Sequence, residues 1–382
     1  MDFDLTAPQR ELRDRTRDFA AERIAPGYRG NDRRGAYDPA LLKDMAQRHL
    51  FALRIPRAYG GLGVDAVSTG AVLEELAKAD LAVCYPVLNA ALIGGVLNAN
   101  ATDEQLQRWL PGIARGDALV ALALTEPEHG TDAAGIELRA EPDGDGWVLS
   151  GRKTSIMIGV YATHALVFAR TGGPGARGVT AFYTELDEHR VTRTQLTDLG
   201  CRAGGRAVLD FDGLKVGAED VVGGPGLGFI QVMRGFDYSR ALIALMAVGT
   251  ADAALSAAFT HAAERLTFGR PIGAFQAVSF PLVEHATLLR AARLLAYEAL
   301  ARNDRGESHR IEANMAKWWA PKAAAEAAHQ ALLTLGQLGW SEDDSYAAQR
   351  LRDVIGLQLA DGTANATKLV VARELLGRQY AP

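Results

Sequence analysis

The sequence predicts an α+β fold that is mostly α. Three observations predict it: helical periodicity over the first 117 residues, short β-type runs in the middle, and long Ala- and Leu-rich segments after them. At 382 residues, 48% hydrophobic and 23% charged, the chain can bury large cores in two or three packed layers. In residues 1–117, Leu41, Leu42, Met45, Ala71, Leu73, Leu76 and Ala77 recur at helical spacing. Thr6-Ala-Pro-Gln9 and Thr102-Asp-Glu-Gln105 fit the capping box, in which a hydroxyl and a Gln side chain satisfy each other's backbone N–H groups. Asp38-Pro39 offers a further start, and Tyr59-Gly-Gly-Leu-Gly63 can only be a loop.

Residues 118–222 change character. Runs at 119–125, 146–149, 165–169, 179–183 and 207–211 alternate or are β-branched, with Gly/Pro/Asp turn clusters between them. No helix of crossover length separates them, so the spacing predicts an antiparallel β domain. Gly223-Gly-Pro-Gly-Leu-Gly228 closes it, and residues 223–382 then read as helices over 229–265, 281–305, 308–336, 346–359 and 362–377. Long helices with short connections predict an antiparallel bundle.

Several function classes lose their usual supports. A net charge of −5, with no basic stripe among aromatics, argues against a nucleic-acid partner. Cys84 and Cys201 are too few and too far apart for a disulfide framework or a zinc site, which predicts a reducing, cytoplasmic setting and no metal. The acidic opening Met1–Pro8 does not read as a signal peptide, and no uninterrupted apolar run reaches membrane-spanning length. There is no Gly-Lys dipeptide, no Gly-x-Ser-x-Gly and no His-Glu-x-x-His, and Gly224-x-Gly-x-Gly228 reads as a linker rather than a dinucleotide loop.

The most informative stretch is Leu122-Ala-Leu124-Thr125-Glu126-Pro127-Glu-His-Gly130-Thr131-Asp132. A strand-like run breaks into a loop, leaving hydroxyls and backbone N–H groups where a flat cofactor or a phosphate can meet them. Alone, a Thr-Glu-Pro segment is more often only a turn. Three further blocks join it: Gly151-Arg-Lys153-Thr-Ser155-Ile156-Met157-Ile-Gly159, Arg265-x-Thr267-Phe268-Gly269-Arg-Pro-Ile-Gly273-x-x-Gln276, and Arg352-Asp353 followed by Asp361-Gly362-Thr363 and a last helix. In order and spacing these resemble the acyl-CoA dehydrogenase family along nearly the whole chain.

That resemblance implies an N-terminal helical domain, a middle antiparallel β-barrel and a C-terminal four-helix bundle, assembled as a homotetramer (a dimer of dimers). It implies FAD between the β domain and the bundle. Leu122, Leu124 and Thr125 would meet the flavin, Gly130 and Thr131 the pyrophosphate and the thioester chain, and Ser155 and Met157 the flavin face. Arg265, Thr267, Phe268 and Gln276 would hold the adjacent subunit's FAD, with Leu333, Gln337, Thr363 and Asn365 completing the cofactor contacts. Thr131, Tyr238, Arg240, Ala360, Asp361 and Gly362 would line the substrate. The family's reaction takes the α-proton of an acyl thioester to a carboxylate and the β-hydrogen, as hydride, to the flavin. The substrate is then an acyl-CoA, and the default electron acceptor is an electron-transferring flavoprotein.

The chain also departs from that family's pattern. Most relatives carry Glu where this chain has Asp361, which is shorter by roughly 1.5 Å, and misplacing a reacting group by about 1 Å costs on the order of 100-fold. Some relatives keep the base on an earlier bundle helix, where this chain has Ser239, so no second carboxylate competes. Ser155 stands for the usual Trp, Met157 for Thr, Ala360 for Tyr, Gln337 for Gly and Leu333 for Gln, with one extra residue between Gly339 and Arg352. The lost bulk at Ser155 and Ala360 suggests a wide acyl group. Asp in place of Glu is also seen in relatives that oxidise cyclohexane- or cyclohexene-carboxyl-CoA, so an alicyclic substrate is favoured. Alternatives are acyl groups on a carrier protein, suggested by Gly200–Arg206, a nitroalkane oxidase-like activity, and a non-catalytic flavoprotein scaffold. Read alone, Asp361 would be an N-cap, His129 a surface loop residue, and Trp318 and Trp319 bundle core or interface. Lys153 would orient its loop. Arg240 would touch the CoA chain or buttress Asp361, and Glu298, Glu312 and Glu326 would be solvated.

Overall fold

The computed structural model describes residues 4–380; Met1–Phe3 of the acidic opening, and Ala381 and Pro382, lie outside the described residues. The N-terminal part consists of α1 (Ala7–Phe19), α2 (Tyr28–Arg34), α3 (Pro39–Gln47), α4 (Ala66–Ala79), α5 (Cys84–Asn100) and α6 (Asp103–Arg115). Its starts are local. Gln9 Oε1 accepts from Thr6 N–H at 2.8 Å, Gln105 and Thr102 exchange both bonds of a capping box, and Asp38 caps α3 through Ala40 N–H at 3.0 Å. Helix α5 is buried on nearly every face, which is why it reads as apolar all round rather than amphipathic, and α4 is as deeply buried although it carries Glu74 and Glu75 inside.

The middle part has strands β1 (Val120–Ala123), β2 (Arg139–Asp143), β3 (Gly146–Ile156), β4 (His164–Arg170), β5 (Val179–Glu185), β6 (Val191–Gln195) and β7 (Ala207–Val216). They form one curled sheet in the order β1-β4-β2-β3-β7-β6, with β5 also on β4. Strands β2 and β6 were not expected from the sequence: Arg-Ala-Glu-Pro-Asp and Val-Thr-Arg-Thr-Gln are short and mostly exposed, without an apolar alternation to mark them. The antiparallel expectation holds for β2–β3, β3–β7, β4–β5 and β6–β7 but fails for β1–β4, which run parallel from Val120↔His164 to Ala123↔Val167, and for β2–β4, parallel at Arg139↔Arg170. A parallel pair needs a long return path. Here loop 124–138 and the β2–β3 hairpin provide it in place of a helix.

The C-terminal part has α7 (Gly228–Glu264), the small hairpin β8 (Leu266–Thr267) and β9 (Arg270–Pro271), then α8 (Gln276–Asp304), α9 (Arg310–Leu335), α10 (Gln337–Trp340), α11 (Ala347–Ile355) and α12 (Ala364–Leu376). Helix α8 starts before Pro281, not at it: Phe275 C=O already accepts from Val278 and Ser279 N–H. Helix α7 has the length and composition to cross a membrane, contrary to the sequence expectation, but 72% of that window is buried inside the fold. A Cβ on Gly249 would lie 2.3 Å from Glu74 C=O, so the backbones of α4 and α7 touch where only glycine fits. Glu74 in turn accepts from Arg293 Nε at 2.6 Å and Tyr297 Oη at 2.8 Å, tying α8 to the same crossing.

Candidate active site

Strand β1 ends in the loop that the sequence singled out. Buried Leu124 presents its carbonyl to Lys153 Nζ at 2.9 Å, and Lys153, with no exposed surface, reaches Glu126 Oε1 at 2.7 Å. The two Glu126 oxygens also accept from the main-chain N–H groups of Glu137 (2.6 Å) and Leu138 (2.8 Å). Burial pulls the Lys153 ammonium below the usual lysine range, against the opposing charge of Glu126. Lys153 therefore orients the loop, as expected. Glu126 is its unread partner.

Beyond this staple the loop is open. Gly130 and Thr131 are exposed, their N–H groups donate to no acceptor among the described residues, and nothing lies within 4 Å of where a Gly130 Cβ would stand. These free N–H donors follow half-buried Leu122 and Thr125 on the same strand-to-loop segment, a combination that suits a flat ring with a phosphate attached. That donor set fits FAD. Ser155, at φ +60°, is exposed, and its Oγ accepts from Arg206 Nη1 at 2.8 Å. The guanidinium is itself paired with Asp198, so a cation, not empty space, stands beside the small residue.

Asp361 sits on the turn between the 3₁₀ turn at 356–358 and α12, at φ +50°. Asp tolerates this left-handed region better than most residues, and Gly362 beside it has φ +101°. Asp361 does not cap the following helix. That role falls to Thr363, whose Oγ1 accepts from Ala366 N–H at 3.3 Å. Instead, Asp361 Oδ2 accepts from Ser239 Oγ of α7 at 2.7 Å.

The backbone of the turn is held from beneath. Arg240 Nε donates to Asp361 C=O at 3.1 Å, the buttress option of the two expected for it. Lys317 of α9, fully buried, donates to Leu357 C=O at 2.8 Å and Gly362 C=O at 3.1 Å. Burial lowers the Lys317 ammonium to about 8, although the Asp361 charge pulls the other way. Behind Arg240, Asp237 accepts from Arg240 Nη1 (3.4 Å), Arg310 Nε (2.9 Å) and Asn314 Nδ2 (3.4 Å).

Other expected residues stand apart. The ring of Tyr238 lies under Arg54 of the N-terminal part, 5.4 Å from guanidinium to ring centre. Arg265, Thr267, Phe268 and Gln276 lie on the β8–β9 hairpin and the start of α8, with Phe268 93% exposed at φ +52°. Leu333 and Gln337 are exposed at the α9–α10 junction, and Asn365 is exposed on α12 beside half-buried Ala360. Among the described residues no hydrogen bond or ion pair joins these to Asp361 or to the 122–157 segment. Glu312 is not solvated as expected: it is largely buried and pairs with Arg302 at 3.4 Å. Trp318 is half-buried under Lys368. A cleft of about 270 Å³ between α6 and strands β4 and β5 touches none of the expected site residues.

Sequence reading missed a buried junction of all three parts. Asp353 of α11 accepts from Tyr28 Oη at 2.6 Å and from Cys201 N–H at 2.5 Å. Asp80, whose Oδ1 accepts from Ala82 N–H, lies nearby. Burial raises Asp353 to about 6 and Asp80 to about 7, each reinforced by a neighbouring acid.

Family models described as acyl-CoA dehydrogenase N-terminal, middle and C-terminal domains match residues 6–117, 121–214 and 226–376. The chain is 34% identical over 372 residues to the 3-(aryl)acrylate reductase of Clostridium sporogenes, covering 96% of this chain and 97% of that one. It is 35% identical over 369 residues to the mitochondrial short-chain specific acyl-CoA dehydrogenase of Bos taurus, covering 96% and 89%. A chain in the structure described as "Electron transferring flavoprotein of Acidaminococcus fermentans" superposes with a TM-score of 0.96 at 33% identity, covering 98% of this chain and all of that one.

Proposed function

This chain belongs to the acyl-CoA dehydrogenase family and is an FAD-dependent oxidoreductase acting on acyl-CoA, and from that premise we propose that Asp361 is its proton-abstracting base. The observation that carries this is the hold on Asp361: a carboxylate on a left-handed turn, one oxygen fixed by Ser239 and the turn itself fixed by Arg240 and Lys317.

Leu122, Leu124, Thr125, Ser155, Met157 and the open N–H groups of Gly130 and Thr131 would hold FAD, which when bound supplies a hydride acceptor for the β-hydrogen. The chain's own task is at the α-carbon. A C–H beside a thioester is a very weak acid, so its removal needs a placed base and donors where negative charge develops on the carbonyl oxygen. Oδ2 of Asp361 is occupied by Ser239, which leaves Oδ1 to take the proton. The Asp361 N–H, in no backbone hydrogen bond among the described residues, is free to face the thioester oxygen. Closing the site against water would strengthen both contacts.

The substrate is a wide, ring-bearing acyl-CoA such as cyclohexanecarboxyl-CoA. Ala360 removes bulk beside the base, and a ring can bring its α-hydrogen towards a short side chain. A relative named for an aryl acrylate supports a cyclic acyl group. We place an electron-transferring flavoprotein downstream, a homotetramer that completes the FAD site with Arg265, Phe268 and Gln276, and a cytoplasmic setting. The test is anaerobic titration of the FAD-loaded protein with thioesters. Cyclohexanecarboxyl-CoA should bleach the flavin faster than butyryl- or octanoyl-CoA, and Asp361→Asn should slow bleaching with all three on the order of 100- to 10,000-fold, leaving a measurable residual rate. Normal reduction by Asp361→Asn removes the base assignment; a preference for the straight chains removes the ring.

A further inference from the structure

Resting on the reading of Asp361 as base, we propose that Ser239 is a positioning residue that selects which oxygen of Asp361 takes the proton. Ser239 has no exposed surface and sits about a third of the way along α7. Its Oγ stands 2.7 Å from Asp361 Oδ2, while its other acceptor, Phe236 C=O one turn back, is at 3.5 Å. A hydroxyl has one proton to give, and the shorter bond to a charged acceptor takes it.

The consequence is geometric. Arg240 and Lys317 pin the backbone of the turn, so the remaining freedom of Asp361 lies in its two side-chain torsions. Ser239 removes that freedom. One oxygen is engaged and the other is held at a fixed bearing to the substrate, which matters more for a short arm than for a Glu that can search. The charged groups facing the carboxylate come from two elements, Arg240 of α7 and Lys317 of α9, with Asp237 and Arg310 one shell behind Arg240. None of these bonds the side-chain oxygens, so Ser239 is their one hydrogen-bond donor among the described residues.

The experiment is stopped-flow flavin reduction, under anaerobic conditions, of the FAD-loaded protein by the thioester that bleaches it fastest. It compares the parent, Ser239→Ala, Asp361→Asn and the double variant across pH. Ser239→Ala should slow reduction roughly 10- to 100-fold, the scale of a small misplacement of a reacting group. It should also move the acid limb of the rate profile upward, a change that a residue acting only on the fold would not produce. In the Asp361→Asn background the Ser239→Ala change should have no further effect on rate. FAD content and thermal midpoint of each variant separate these effects from loss of fold.

An acid limb that stays in place, or an equal slowing by Ser239→Ala in both backgrounds, overturns the proposal and leaves the base reading intact. Asp361→Asn reducing at the parent rate overturns the base reading instead, whatever Ser239 does.

Discussion

Replacing Lys317 by Met separates what holds the active turn from what holds the fold. In the parent, Lys317 Nζ serves Leu357 C=O and Gly362 C=O, the two carbonyls that bracket Asp361. Leaving both buried acceptors empty costs about 1–3 kcal/mol each. Against this, the buried ammonium is itself expensive. Its pKa falls from 10.5 to about 8, which at about 1.4 kcal/mol per unit costs the folded state about 3 kcal/mol at neutral pH. The two effects nearly cancel, so Lys317→Met should change the denaturant midpoint little at pH 7. The pH dependence carries the sign. The folded lysine loses its proton near 8 and the unfolded one near 10.5, so this group's penalty disappears as pH rises across that window. The parent therefore gains stability between pH 8 and 10.5 relative to the variant. Activity should behave differently: a turn released at both ends misplaces Asp361 by an ångström or so, and flavin reduction should fall on the order of 100-fold. The assay pairs urea titrations at pH 7 and pH 10 with anaerobic flavin reduction. A variant that reduces within threefold of the parent refutes the clamp.

Asp80→Asn tests the three-part junction. Its carboxyl is held up at about 7 by burial and then by the Asp353 charge, so in the parent it subtracts stability as pH climbs from about 4 to 7 and stays costly above. The variant, which keeps an acceptor for Ala82 N–H, should gain about 4 kcal/mol at pH 8 and nothing at pH 4; equal midpoints at both pH values would contradict this. Phe268→Ala changes a ring that is 93% exposed, and protomer stability should move by no more than about 0.5 kcal/mol. Bound FAD and assembled mass should nevertheless fall, as read by flavin absorbance and light scattering. Unchanged FAD content would mean that Phe268 does not serve a neighbouring subunit.

Much of this was legible wherever the physics is local. Thr6–Gln9 and Thr102–Gln105 announce their helices because both partners of each cap lie within one turn. The parallel β1–β4 pair was not legible, since its register is set by residues 44 positions apart and not by any crossover helix. Strand β2 hid for a related reason: Glu-Pro-Asp reads as a turn, yet the hairpin with β3 holds it straight. In the site, Lys153 was readable from its place in a motif, whereas Glu126 looked like turn chemistry. Asp361 and Ser239 were both noted, but 122 residues separate them and no pattern says that one donates to the other. The N-cap reading of Asp361 failed because Thr363, two residues on, offers a hydroxyl at the right step.

Helix α7 runs unbroken for 37 residues, about 55 Å. Along that length it sends Gln231 to Val222 C=O at the end of the β part, Ser239 and Arg240 to the turn at 361, and Gly249 against the backbone of α4. One residue added between Arg240 and Gly249 would rotate everything downstream by about 100° and push it about 1.5 Å along the axis. Gly249 would then leave the azimuth at which these two main chains touch. Descendants of this sequence can swap side chains along that helix, but they cannot lengthen or shorten it by a single step without losing its phase at one end or the other.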